Sequence, residues 1–471
     1  MRTLTPARIS AVLLGAVPLL CGAMLLGGCG TINGITNDLG ITSPNPSSAF
    51  VIGTDAPLAS VVSFNATIQS VNAITANGTS VPLISGTPTI DFARFNGLQT
   101  LIDVNSVAPG TYNQISVTFA SATIGYLNVQ SGSAPTIQTM PATFTSNTTT
   151  VTLANPLVVT TSGPVGVRLD FRLDKSIQVT NGQITGQVTP TFNINTVGPT
   201  DAGAHIDEFI AGVASVGSSS SQSFVIQGPH GRQFTVKVNG NTEWENGDSF
   251  SDLTNTSIVQ ISGELDKADS TIDADEVAIL SQNAFYASGQ VTYVTPSSGA
   301  ANNFQFYVRA TLPANGTAVN DGDIDQVQLS GSEKYFIYWM HNRFTEFLFN
   351  SSTLLPGQHI SVGGSISGAQ NAQALSVNRV VLRNWGFNGT VVANSVNDSN
   401  NSFQMKVTGF AGLLIPQTVT VYTQSGTSFR DGLTTLADVS TAANIRVVGL
   451  LIKDPISGQT VILARYVDDL K

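Results

Sequence analysis

From Ser48 onward the chain is written in short alternations of apolar and polar residues. Val61, Ser63, Asn65 and Thr67 interleave with Val62, Phe64, Ala66 and Ile68. That period of two, with one apolar face, predicts an antiparallel strand with one wet side. Phe50-Val51-Ile52 opens the region before Thr54-Asp55-Ala56-Pro57, and 114–119 continues it after the turn Ala108-Pro109-Gly110. Residues 165–173 alternate again, and 186–192 predict a last strand before Val197-Gly198-Pro199. Only 91–103, with Phe92, Phe95, Leu98 and Leu101, has near-helical spacing. Strands separated by Gly, Pro and Asn, without a long amphipathic helix, predict a β-sandwich over 48–199.

The remainder repeats with a variable period. Three units open on an aromatic strand carrying a glycine: Phe209 to Val213, Tyr286 to Val291 and Phe387 to Val391. A second strand follows in each, at 223–226, 303–308 and 402–407. A later strand crosses a glycine, at Gly263, at Gly363-Gly364 and at Gly449, and each unit closes on a short β run. Glycine inside a strand marks a bulge or sharp bend, which small barrels need at their corners. The expectation is an all-β chain: an N-terminal β-sandwich followed by three tandem small OB-like β-barrels, at 205–283, 284–384 and 385–471, like beads on a string.

The N-terminus is different. Arg2 and Arg8 precede an apolar run from about Ile9 to Leu26, and Leu26-Gly27-Gly28-Cys29 follows. An aliphatic residue, two small residues and a cysteine read as a lipoprotein export signal, with 1–28 removed and Cys29 acylated by chains such as palmitate. A transmembrane helix is the rival reading, weakened by Pro18, four glycines and the lack of charge just after the run. Several acyl chains, at about 0.8 kcal/mol per buried methylene, would hold the membrane almost permanently. Gly30, rather than aspartate, follows the cysteine, which favours the outer membrane. Residues 29–47 then read as the lipidated start and a flexible tether rich in turn formers.

Composition narrows the function. The chain of 471 residues is 41% hydrophobic, too apolar for disorder. It carries 20 Lys and Arg against 30 Asp and Glu. That acidity argues against nucleic acid, whose phosphates need basic contacts. Cys21 lies within the signal, so the exported chain has no internal disulfide and no thiolate metal site. No cofactor motif is present.

Two regions are similar to known families. Thr54-Asp55-Ala56-Pro57, Leu101 with Val107 to Ile115, Leu169-Asp170-Phe171 and Ser176-Ile177 resemble the bacterial lipoprotein family called domain of unknown function 4382. Gly212-Val213, Phe234-Thr235-Val236, Asn241 to Trp244 and Ala274 to Val277 resemble the small-barrel family called domain of unknown function 5666. The second unit departs most, with a long insert. Neither family brings a known activity, so the resemblance implies architecture and export only.

Candidate chemistry is sparse. His205, His230, His341 and His359 form no metal-ligand pair, and there is no nucleophile elbow, S-x-x-K or Walker loop. Asp321, Asp323 and Asp325 place carboxylates at alternating positions, as Ca²⁺ ligation would use, but fail the EF-hand pattern at Gln326 and Ser332. A solvated acidic turn is the plainer account. The run from Tyr335 to Phe349 concentrates aromatic residues. Tyr335, Tyr338, Trp339, Phe344 and Phe347 are the candidate ligand face, for sugars or a protein partner, against the alternative of a covered hairpin. The expected role is a non-enzymatic cell-envelope module, lipid-anchored, binding polysaccharide or protein, or else a spacer. A hydrolase with an inter-domain site ranks third.

Overall fold

A computed structural model describes residues 48–470 apart from 57–60, 97–98, 129–133, 161–164, 182, 199–204, 228–232, 246–247, 267–270, 282–284, 313–318, 338–347, 368–373, 410 and 417. The signal, Cys29 and the tether lie outside the described residues. Among the described residues, no helix is long and apolar enough to cross a membrane.

The N-terminal region is sandwich-like. One sheet orders Phe192–Val197, Val165–Arg172, Ser48–Ala56 and Thr100–Ser106, with Ser48–Ala56 parallel to Val165–Arg172. The facing sheet is built on the long antiparallel pair Val61–Thr75 and Gly110–Asn128. Val51, Phe119 and Phe171 meet Phe64 between the sheets, with the Phe64 and Phe171 rings stacked at 5.0 Å. The same small sheet buries its other face as well. Phe50, Ile52, Leu101 and Val197 pack into the core of the first repeat. Strands buried on both faces read as continuous apolar runs, which accounts for Ala49-Phe50-Val51-Ile52. Gly166 makes room for this arrangement, because a Cβ there would lie 2.0 Å from the Phe50 ring.

Two local expectations change. Instead of one strand over 186–192, Gln183–Val188 and Phe192–Val197 are separate strands in different sheets. Pro190 lies between them and has no N–H for a ladder. The near-helical segment shrinks to the 3₁₀ turn Phe92–Phe95, after which the chain re-enters a sheet at Thr100–Ser106.

The three repeats share one strand order. In the second it runs Ile324–Gln328, Asn303–Leu312, Phe285–Thr295, His359–Ser367, Ala374–Arg383, Lys334–Ile337. Gln328 pairs across to Ser376, which closes five strands into an OB-like barrel despite the insert. The third closes through Thr420, Val421 and Tyr422 on Val461, Ile462 and Leu463. The first repeat shows the same order and pairs Val236 with Ile272 and Lys237 with Asp273. The strand glycines sit where the register shifts, after Ser262, Gly363 and Val448. A Cβ on Gly263, Gly364 or Gly449 would lie 2.1 Å from the partner strand's carbonyl oxygen. The bulge therefore needs a residue without a side chain.

The repeats do not lie like beads on a string. Ile210 and Ile258 of the first pack with Tyr286 and Val381 of the second. Gln358 of the second donates to the Leu451 carbonyl of the third at 3.0 Å. Arg465 of the third pairs with Glu276 of the first at 3.8 Å, both side chains buried. Each repeat touches the other two, and the sandwich touches all three. The physical reason lies in the outer faces of the barrels, where apolar side chains such as Ile210, Tyr286 and Val381 meet and the charges are buried, as in the pairs Arg465–Glu276 and Arg309–Asp91.

Candidate functional site

The second barrel's strand Asn303–Leu312 shows how the junction is built. Phe304, Phe306 and Val308 fill the barrel. Tyr307, Arg309 and Thr311 take the opposite parity and would face water in an isolated barrel. Here all three are buried. Tyr307 packs with Val62 and Leu127 of the sandwich. Arg309 is 4% exposed, and an arginine so buried must be paired. Its Nη1 lies 3.3 Å from Oδ2 of Asp91, while Oδ1 of that carboxylate accepts from the Phe64 amide at 2.8 Å. Arg309 Nε donates to Gln290, and the guanidinium lies over the rings of Trp385, at 4.6 Å, and Tyr307, at 5.1 Å. One side chain thus ties the sandwich, the second barrel and the third. Burial raises the Asp91 pKa, and Arg309 opposes that rise.

His359 and Arg383 extend this polar layer. His359 Nδ1 donates to the Asn384 carbonyl at 2.9 Å, and its ring meets Trp385 edge-on at 5.0 Å. Arg383 Nε donates to Ser361 Oγ at 3.0 Å. Burial pushes the His359 pKa down to about 3, with nearby Arg309, Arg94 and Arg383 acting in the same direction. The sign for stability follows from linkage. Below its ordinary pKa the unfolded chain protonates this histidine, while the folded chain resists until about pH 3. His359 therefore makes the fold less stable as pH drops through that window. Asp325, pushed up to about 6 by burial and by Asp323, works oppositely and stabilises at low pH. The variant His359→Gln should lose less stability than the wild type between about pH 7 and pH 4.5, read as the urea midpoint. Parallel curves for the two proteins would remove His359 from the acid response.

Beside Arg309 lies a cavity of about 290 Å³ with three walls. The sandwich contributes Asp91, Arg94 and Phe95, the first repeat Asp207, Phe209 and Phe234, and the second barrel Arg309, Ala310 and Asp321. Phe209 and Phe234 stand edge to face at 5.5 Å. The site thus combines aromatic walls with both donors and carboxylates.

The sequence candidates fall as follows. Tyr338, Trp339, Phe344 and Phe347 lie outside the described residues, as do His230 and His341. Tyr335 lies in the strand Lys334–Ile337, packed on the second barrel's core, with its ring edge-on to Phe349 at 5.6 Å. Phe336, on the opposite parity, packs toward the first repeat beneath Arg379 at 4.2 Å. Asp321 Oδ1 accepts from Thr311 at 3.1 Å and lines the cavity, while Asp323 accepts from Asn320. Among the described residues no group of three or more His, Cys, Asp or Glu side chains is placed to hold a metal. Asp91, Arg94, Asp207 and Arg309 were missed. An arginine as the one charge in the 304–312 run was the available signal.

Residues 51–187 match the family model for domain of unknown function 4382, and residues 213–278 match that for domain of unknown function 5666. No curated protein matches. One solved structure, named drosophila Unr CSD456, is similar at 7% identity over 56% of this chain and 97% of its own, with a TM-score of 0.14. A score that low establishes no common fold.

Proposed function

We propose that the chain is an exported, lipid-anchored, non-enzymatic binding module of the cell envelope, with its ligand seat in the cavity between the sandwich and the first two repeats. The cavity carries the reading: a concave, partly aromatic site with a few converging polar groups is the usual form of a ligand pocket. All three repeats are read here as one barrel type, occupying 205–283, 284–384 and 385–471 behind a sandwich at 48–199. The first two wall the seat, and the third braces them from behind through Gln358 to Leu451 and Arg465 to Glu276. Acylated Cys29 and the tether 29–47 would fix the module to the outer membrane, and an acidic chain would leave nucleic acid alone.

The experiment has two steps. The full chain should stay in the membrane fraction through a high-salt wash, and a chain released by salt would lose its anchor. Extracted in detergent and immobilised, it should retain envelope polysaccharide fractions. The cavity-filling variant Ala310→Leu should lose that retention at least about tenfold while still melting cooperatively. Retention unchanged by filling would remove the cavity as the seat.

A further inference from the structure

The cavity meets its walls at strand edges. Thr100, Leu101 and Ile102 are consecutive, and all three line it. Successive side chains of a strand point to opposite faces, and here Leu101 enters the first repeat's core while Ile102 enters the sandwich core. A cavity that touches both therefore lies along the edge of Thr100–Ser106, not over a face. Among the described residues the sheet ends at that edge, since Ser48–Ala56 pairs on the other side. A second edge faces the same space. His205–Val216 pairs with Ile258–Asp266 from His205 to Gly212, but on its other side the described ladder to Ser223–Gln227 starts only at Gly212. Phe209 and Ile210, in the stretch before it, line the cavity while packing toward the first repeat's core and toward its junction with the second.

The open stretch at 100–102 is bounded. At one end the Gln99 carbonyl accepts from the Asp207 amide at 3.2 Å, so the two edges touch there and the cavity opens beyond. At the other end the Asp103 carboxylate accepts from the amide and the hydroxyl of Ser85, which brings the preceding loop against the strand. Three residues of strand span about 10 Å. Open edges are commonly blunted by lysine or proline, yet Thr100, Leu101 and Ile102 include neither. Leu101 and Ile102 anchor this backbone in two cores, so the edge is ordered before anything binds, which lowers the cost of binding. What completes a strand edge is another extended backbone, with N–H and C=O groups at the same repeat. Phe95, Phe209 and Phe234 stand beside it to take apolar side chains. At about 290 Å³ the cavity admits a few residues, not a folded partner.

We infer that the cavity takes a short extended peptide, added as a strand to the edge at 100–102. This rests on the reading of the cavity as the ligand seat and narrows it: an envelope polysaccharide held there is held through peptide that it carries. The full chain in detergent is titrated calorimetrically with capped tripeptides of valine and threonine, and with methyl glucoside as a peptide-free probe. At least one tripeptide should bind, and methyl glucoside should not. Methylating the amide nitrogens of that tripeptide one at a time keeps every side chain and removes one donor. Binding should fall about tenfold or more for at least one of these. A polysaccharide fraction retained by the wild type should be retained less once its peptides are cleaved off. Binding of no tripeptide, or binding indifferent to methylation at every position, would overturn the inference. The seat is judged separately. Peptide-free polysaccharide retained by the wild type and lost in Ala310→Leu would uphold the seat and remove the peptide. A tripeptide bound equally well by Ala310→Leu would remove the cavity as the seat, and the inference with it.

Discussion

Arg309→Met should cost the protein about 3–5 kcal/mol, the usual loss when one partner of a buried ion pair is removed. Both side chains are nearly excluded from water, at 1% and 9% exposure. Methionine keeps much of the packing over Trp385 but leaves the Asp91 carboxylate with the Phe64 and Ala93 amides and the more weakly acting Arg94. Burial already raises that carboxyl's pKa, and Arg309 is the largest influence holding it down. The variant should raise it further. A raised acid stabilises below its unfolded pKa and loses that contribution as pH rises. The defect should therefore be larger at neutral pH than in mild acid. Asp91→Asn removes the charge at the other end, and the double variant should recover part of the loss. A double-mutant cycle in urea measures the coupling. Additive losses below about 1 kcal/mol each would mean that the pair is solvated, since exposed pairs are worth no more than that.

The junction shows what alternation can and cannot reveal. In Tyr286-Ala287-Ser288-Gly289-Gln290-Val291 the odd positions Ala287 and Val291 fill the second barrel. The even ones carry polar atoms, so the pattern reads as a wet face. Ser288 and Gln290 are in fact wholly buried. Local periodicity separates apolar from polar positions, but a polar face turned to water and one turned to a neighbouring unit look alike. The bulge glycines were legible for the opposite reason. Gly263, Gly364 and Gly449 answer a demand made within one hairpin, at a register shift the strand cannot make with a side chain. The cavity could not be foreseen, because Arg94, Phe209 and Arg309 are brought together only by the docking of three units. The aromatic run drew attention by density alone. Tyr335 packs against the second barrel's core, while residues 338–347 of the run lie outside the described residues.

Gly386→Ala should open that docking at one place. A Cβ on Gly386 would lie 2.0 Å from the Asn96 carbonyl oxygen and 2.9 Å from its carbon. Those are backbone atoms of the sandwich and cannot swing aside. Asn96 Nδ2 also donates to the Gly386 carbonyl at 2.8 Å, in a buried bond between residues far apart in sequence. The added methyl must push the third barrel away from the sandwich and break this bond. Overpacking of roughly 1–3 kcal/mol and a buried hydrogen bond of about 1 kcal/mol together give a loss of about 2–4 kcal/mol. The loss belongs to the interface, since the closing pairs of the third barrel at Thr420, Val421 and Tyr422 lie elsewhere. Calorimetry should then show the third barrel melting as a separate transition, with Trp385 fluorescence shifted to the red before the main unfolding. Gly426→Ala is the control, because a Cβ there meets nothing within 4 Å. A Gly386→Ala protein that melts in one transition, like Gly426→Ala, would mean that the sandwich and third barrel are not held in contact, and the packing of the third repeat against the sandwich would have to be redrawn.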